Sequence, residues 1–143
     1  YTSLYRTFER PVNISEEGRY FSAFDGTVHT TDRPFYTDDW IWDSYRAHHP
    51  LNVLIEPAKE EDILNSFVLM AKQMDEFWLP TFPEITGDSR RMNSNHGVAT
   101  LLDAYRKGLR GFDLEDAYLA SKNAITEKTS AIATIGTKSC RSK

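Results

Sequence analysis

The chain has 143 residues, 40% of them hydrophobic, which suffices for one compact domain and requires no second. With 17 basic against 21 acidic residues the net charge is -4, so neither nucleic acid nor an anionic membrane surface is expected as the main partner. No apolar run approaches the roughly 20 residues that span a bilayer, no basic-then-apolar leader pattern is seen, and the single cysteine, Cys140, excludes an internal disulfide and a cysteine-based metal site.

The chain begins on Tyr1 without a methionine, and is therefore expected to be part of something longer. Residues 1 to 36 are irregular in pattern, with a helix end stopped by Pro11 and two short strand-like runs, "RYFSAF" and "TVHTT", flanking Asp25-Gly26. That dipeptide is a two-residue hairpin signal. From Thr37 the apolar spacing changes to the helical period. Thr37 as N-cap, Asp38 and Asp39 in the first turn, and Pro50 as a terminator predict a helix from Thr37 to His49.

Pro57 suits the first turn of a second helix, with Ile63, Leu64, Phe67, Val68, Ala71 and Met74 on one stripe, running to about Phe77. The next segment, "WLPTFPEITGDSRRMNSNHG", has no period, and its aromatic residues argue for an ordered functional loop. A third helix carries Val98, Leu101, Leu102, Tyr105 and Leu109, with Gly108 and Gly111 near its end. A fourth opens on Asp113 and shares Leu114, Tyr118 and Ile125 on one face. Residues 131 to 143 lack periodicity and aromatic anchors and read as tail. The expected fold is all-α, two helical hairpins with a small N-terminal β-hairpin.

Two polar clusters are candidates for chemistry. In the first helix Asp39, Asp43 and Arg46 share a face, with Trp42 and His49 beside them. Such a face is either a solvated ion pair next to a core-facing stripe of Ile41, Tyr45 and His49, or the wall of a sugar site. Carboxylates and guanidinium forks bond adjacent hydroxyls, and an indole covers the C–H side of a pyranose. In the loop, Glu84, Asp88, Arg90, Arg91, Asn93, Asn95 and His96 are either solvated polarity or ligand contacts. Glu84 sits among Phe82, Pro83 and Ile85, and an apolar collar would raise its pKa as a general acid requires. His96 is equally suited to capping, to the core or to a ligand. No metal-site spacing, glycine-rich phosphate loop or nucleophile elbow is present.

The segments "DDWIWDSYRAHHPL", "PTFPEITGDSRRMNSNHGVA" and "DAYRKGL" resemble the catalytic domain of family-92 glycoside hydrolases, calcium-dependent exo-acting α-mannosidases. That family's Trp-Asp-[Ser/Thr]-[aromatic]-Arg motif followed by His-Pro is matched by Trp42, Asp43, Ser44, Tyr45 and Arg46, then His49 and Pro50. A later His ahead of Asp-Ala-Tyr matches His96 and the run from Asp103 to Leu109. The resemblance covers residues 1 to about 130 and implies a sector of an (α/α)6 toroid, a mannose-containing glycan as ligand, and a periplasmic or secreted setting. It implies that Trp42, Asp43 and Arg46 contact the terminal mannose, with Glu84, Arg91 and His96 as further substrate contacts.

The family's general-acid motif, Glu-Gly-Asn-x-Trp-Gln-Tyr, and its general-base motif, Gly-Asn-Asp-x-x-Gly-Gln, do not occur in this sequence. Calcium is the cofactor expected of a whole member, with ligands from the segments not present here. Glu84 is then the one weak catalytic candidate. The leading expectation is a portion of an inverting exo-α-mannosidase that positions substrate. The alternatives are a non-catalytic helical module that binds carbohydrate or a protein partner, and another toroid enzyme such as a polysaccharide lyase. Exposed apolar helix faces would favour self-association.

Overall fold

In a computed structural model, which describes residues 1–90 and 95–139 and side chains as far as residue 127, the chain is about half helical with small antiparallel sheets. Helix α1 (Thr2–Arg6) precedes strands β1 (Val12–Asn13), β2 (Arg19–Ser22), β3 (Thr27–Thr30) and β4 (Tyr36–Thr37). Helices α2 (Ile41–Ser44), α3 (His48–Ile55) and α4 (Pro57–Gln73) follow, then the strand pair β5 (Pro83–Glu84) and β6 (Gly87–Asp88), and helices α5 (His96–Arg106) and α6 (Leu114–Ser139). None of the described helices is long and apolar enough to cross a membrane.

Helix α4 begins at Pro57, whose missing N–H costs nothing at a first helical position. Its predicted stripe, Ile63 through Met74, is buried throughout, and it packs against α3, α6 and β4. Tyr20 stacks on Phe35 with ring centroids 3.9 Å apart, and both join this core. The helix ends at Gln73, short of the expected Phe77, because Met74 is already extended at φ -91 and ψ 138.

The predicted helix from Thr37 to His49 is not one element. Thr37 lies in β4, paired with Val12, and Asp38 has φ 61, so helix begins only after Trp40. Nor does Pro50 end anything. It is the third residue of α3, where the backbone N–H has no intrahelical partner to lose.

Strands β2 and β3 form the expected hairpin, but Ser22 pairs with Thr27, so the loop has four residues and not two. Gly26 at φ 72 closes it, its N–H reaching the Ser22 carbonyl at 3.0 Å. Asp113 caps α6 through Oδ1, which accepts the Asp116 N–H at 2.9 Å. Unbroken by proline, α6 continues to Ser139, into the segment read as tail; Cys140 to Lys143 lie outside the described residues. Leu114, Tyr118 and Ile125 do share a face, but it is exposed, and among the described side chains of α6 those that enter the core are Ala117, Ala120 and Ala124.

Candidate functional site

The strap between β4 and α2 is tied to the β5–β6 hairpin, since the Asp39 N–H donates to the Pro83 carbonyl at 3.0 Å and Thr37 Oγ1 to the Glu84 carbonyl at 3.2 Å. From this anchored strap α2 rises, the N–H groups of Asp43 and Ser44 donating to the Trp40 carbonyl at 2.8 and 3.0 Å. Ile41 and Ser44 face inward and are buried. Trp42 and Asp43 therefore face outward, Trp42 with 46% of its surface open.

Asp43 makes no ion pair among the described residues, so the expected Asp43–Arg46 pair is not formed. It opens instead onto a cleft of about 310 Å³ between α1 and α2, lined also by Arg6, Glu9, Arg10, Trp40 and His48. Arg10 sits over the Trp40 ring at 4.3 Å and pairs with Asp38 at 3.1 Å, which fixes that wall. His48 Nε2 is buried without a hydrogen-bond partner among the described residues. Burial, and then the charge of His49, push the His48 pKa below its ordinary value.

Arg46 turns the other way. Its Nε donates to the Tyr45 hydroxyl at 3.1 Å, and the Tyr45 ring lies 4.0 Å from the His96 ring. The structure thus brings Arg46 and His96 together through Tyr45, at the start of α5. Partial burial, then the Arg46 guanidinium, lower the His96 pKa, favouring a neutral ring whose Nδ1 has no hydrogen-bond partner among the described residues.

Glu84 lies in β5 with its side chain half-buried, but the apolar collar expected around it is open, because Ile85 is 58% exposed. Asp88 is a loop staple: its carboxylate accepts from Thr81 N at 3.0 Å, Phe82 N at 2.8 Å and Arg90 N at 3.1 Å. Arg90 pairs with Glu76 at 3.1 Å. Arg91 and Asn93 lie outside the described residues.

Asp39 does not share the outward face with Asp43. It is 2% exposed and belongs to a buried polar chain not foreseen from spacing. His49 Nε2 donates to Asp39 Oδ2 at 2.8 Å and Nδ1 to Glu60 Oε1 at 2.8 Å, while Ser44 Oγ donates to Asp39 Oδ1 at 2.8 Å and Asn52 Nδ2 to Glu60 Oε2 at 3.2 Å. Burial disfavours charge on His49, but the two carboxylates outweigh it and raise the pKa to about 10. Burial likewise pushes the Asp39 carboxyl up, and the His49 charge, with hydrogen bonds from His49 and Ser44, more than reverses this and holds it below the ordinary carboxylate value. The seryl hydroxyl bonds to the aspartate and not to the imidazole, and both imidazole nitrogens are already engaged, so this is not a nucleophilic triad.

A signal for this chain is present in the sequence. Glu60 falls three, four and seven residues before Ile63, Leu64 and Phe67, on the buried stripe of α4, where a carboxylate needs a partner. The doublets Asp38-Asp39 and His48-His49 supply it, but the wheel drawn for one unbroken helix assigned Asp39 to the wrong side.

The sequence profile of the glycosyl hydrolase family 92 catalytic domain matches residues 1–142. Among solved structures, the chain is similar to the family GH92 α-mannosidase BT3965 from Bacteroides thetaiotaomicron, alone and in complex with mannoimidazole, with TM-score 0.83 and 30% identity over 88% of this chain in both. It is also similar to the family GH92 inverting mannosidase BT2199 from Bacteroides thetaiotaomicron VPI-5482, with TM-score 0.72 and 34% identity over 84% of this chain. The chain spans 17% of the first of these proteins and 16% of the second. No curated protein matches it significantly.

Proposed function

The chain belongs to glycosyl hydrolase family 92, and on that premise we propose that it is the portion of an inverting, exo-acting α-mannosidase that positions the terminal mannose of a glycan. The observation that carries this reading is the carboxylate of Asp43, unpaired among the described residues, held outward beside Trp42 by buried neighbours on both sides and open to a cleft rich in hydrogen-bonding groups. A carboxylate accepts two adjacent hydroxyls of a pyranose and Arg6 and Arg10 offer donors to others, while the indole that lines the cleft is that of Trp40 and Trp42 stands exposed beside Asp43. Arg46 and His96, linked through Tyr45, form a second polar edge on the far side of α2. The resemblance to an inverting mannosidase supports the stereochemical part of the proposal.

Inversion requires one carboxylic acid to protonate the leaving oxygen and a second carboxylate, roughly 6.5–9.5 Å away, to activate water. Neither family motif that carries those groups occurs in this sequence, so this portion contributes orientation, which alone lowers a barrier by several kcal/mol. Calcium enters in this reading as a cofactor of the larger domain, as the family resemblance implies. The helical pairs belong, in this reading, to a sector of an (α/α)6 toroid. The apolar groove between α5 and α6, lined by Val98, Leu102, Tyr105, Leu114, Tyr118 and Ile125, is then a seam covered by neighbouring helices.

Calorimetric titration of the chain with methyl α-mannoside tests the assignment. Asp43→Ala is expected to weaken binding at least about tenfold, the equivalent of about 1.4 kcal/mol. Equal affinity of variant and parent would remove Asp43 from the site.

A further inference from the structure

Asp39 lines the cleft with Asp43 while His49 and Glu60 do not, and each of the three is 2% exposed or less. Apolar side chains of similar volume would fill the same space at no loss of stability, because desolvating the charges offsets their attraction. What the polar chain supplies that apolar packing does not is a directed connection. It runs from Glu60 on α4, through His49 on α3, to Asp39 on the strap, and from Asp39 to Ser44 at the end of α2.

Helix α2 needs that connection. Four residues are far below the length at which a helix holds itself together in water. Its N-terminus has no side-chain cap, and no acidic residue but Asp43 lies in its first turn. Ile41 anchors one end by burial, and Ser44 anchors the other through the 2.8 Å bond to Asp39. Trp42 and Asp43 stand between these two anchors. Asp39 can hold Ser44 in one place only if its second oxygen is itself held, and His49 Nε2 does this at 2.8 Å. His49 is in turn fixed by Glu60 at its other nitrogen and by the edge of Phe67, with ring centroids 5.8 Å apart. The remaining titratable neighbour, His48, stacks at 5.8 Å and lies toward the cleft.

We propose that His49 is a positioning residue of the sugar site, clamping Asp39 between itself and Ser44 so that α2 presents Trp42 and Asp43 in one fixed orientation. The sugar-binding part rests on the function proposed above; the clamping of α2 does not. The chain has three tryptophans, so its three indole N–H signals report Trp40, Trp42 and Trp78 separately, with Trp42→Phe and Trp78→Phe giving the assignments.

Ser44→Ala cuts α2 from the clamp while leaving His49 between its two carboxylates. In ¹⁵N-labelled protein it is expected to broaden or double the Trp42 indole signal, leave that of Trp78 unchanged, and raise the dissociation constant for methyl α-mannoside at least tenfold. Ser44→Thr, which keeps the hydroxyl, is expected to restore both. His49→Gln should reproduce the Trp42 effect; if it fails to fold, the two Ser44 variants decide. A folded Ser44→Ala protein with an unchanged Trp42 signal would overturn the proposal. If the parent chain does not bind the mannoside, the sugar reading falls, and the Trp42 signal still decides whether the clamp exists.

Discussion

His49 carries a pH dependence with a definite sign. Its folded pKa of about 10 stands against an ordinary 6.5, so between these values the folded chain holds a proton that the unfolded chain has released. The stability this brings is complete below about pH 6.5 and is lost as the pH rises toward 10. Asp39, whose folded pKa is depressed, acts in the opposite limb: its contribution is present above 3.8 and is lost as the pH falls through its lower folded value. His48 adds to the acid side, because burial makes the folded state resist the proton that the unfolded state accepts below 6.5. Tyr20, Tyr36 and Lys72, all raised, affect stability only above about pH 10. The melting temperature followed by circular dichroism should therefore decline from pH 7 to pH 9.5, by about 5 °C or more. A flat profile across that interval would mean that His49 is neutral in the fold. The same residues show what single positions disclose. Glu60 is legible as a buried carboxylate once the α4 stripe is drawn, whereas the opposite facings of Asp39 and Asp43 depend on where helix begins, which the positive φ at Asp38 fixes and no spacing rule contains.

At the level of elements, α4 was readable because seventeen residues of regular apolar period, opened by proline, leave few alternatives. The segment from Thr37 to Ile55 was not, because three signals compete there. Thr37 looks like an N-cap but pairs in a strand, and Pro50 looks like a stop but fits the first turn of α3. The N-terminal hairpin was placed correctly and its loop was two residues too short, since Asp25-Gly26 also suits the end of a longer turn. In α6 the period was right, since Leu114, Tyr118 and Ile125 do share a face, but spacing did not say that this face is the exposed one and that small alanines meet the core. Alanine permits close approach of α6 to α4, and the large side chains are left on the open side with Leu102 of α5. An open face of this kind associates in water. Light scattering is expected to show concentration-dependent association of the chain, and Tyr118→Glu, placed at the centre of that face and 68% exposed, should raise the dissociation constant at least about tenfold. A monodisperse monomer at high concentration would show that the face needs no cover.

For the molecule as a whole, family membership was legible in a few motifs, because Trp42-Asp43-Ser44-Tyr45-Arg46 with His49-Pro50, taken together with His96 and Asp103-Ala104-Tyr105, is specific where any one of them is not. The division of labour between residues needed coordinates. Asp43 and Trp42 face solvent, Asp39 and His49 lie behind them, and Arg46 joins His96 through Tyr45. The central proposal is that this chain grips a mannoside without cleaving it. One proton NMR sample of the chain with an aryl α-mannoside and calcium tests that claim directly. The account predicts saturation transfer from protein to the sugar ring protons and no appearance of free mannose. Release of mannose that disappears in Glu84→Gln would place catalysis within this chain and contradict it, as would the absence of any transfer to the sugar.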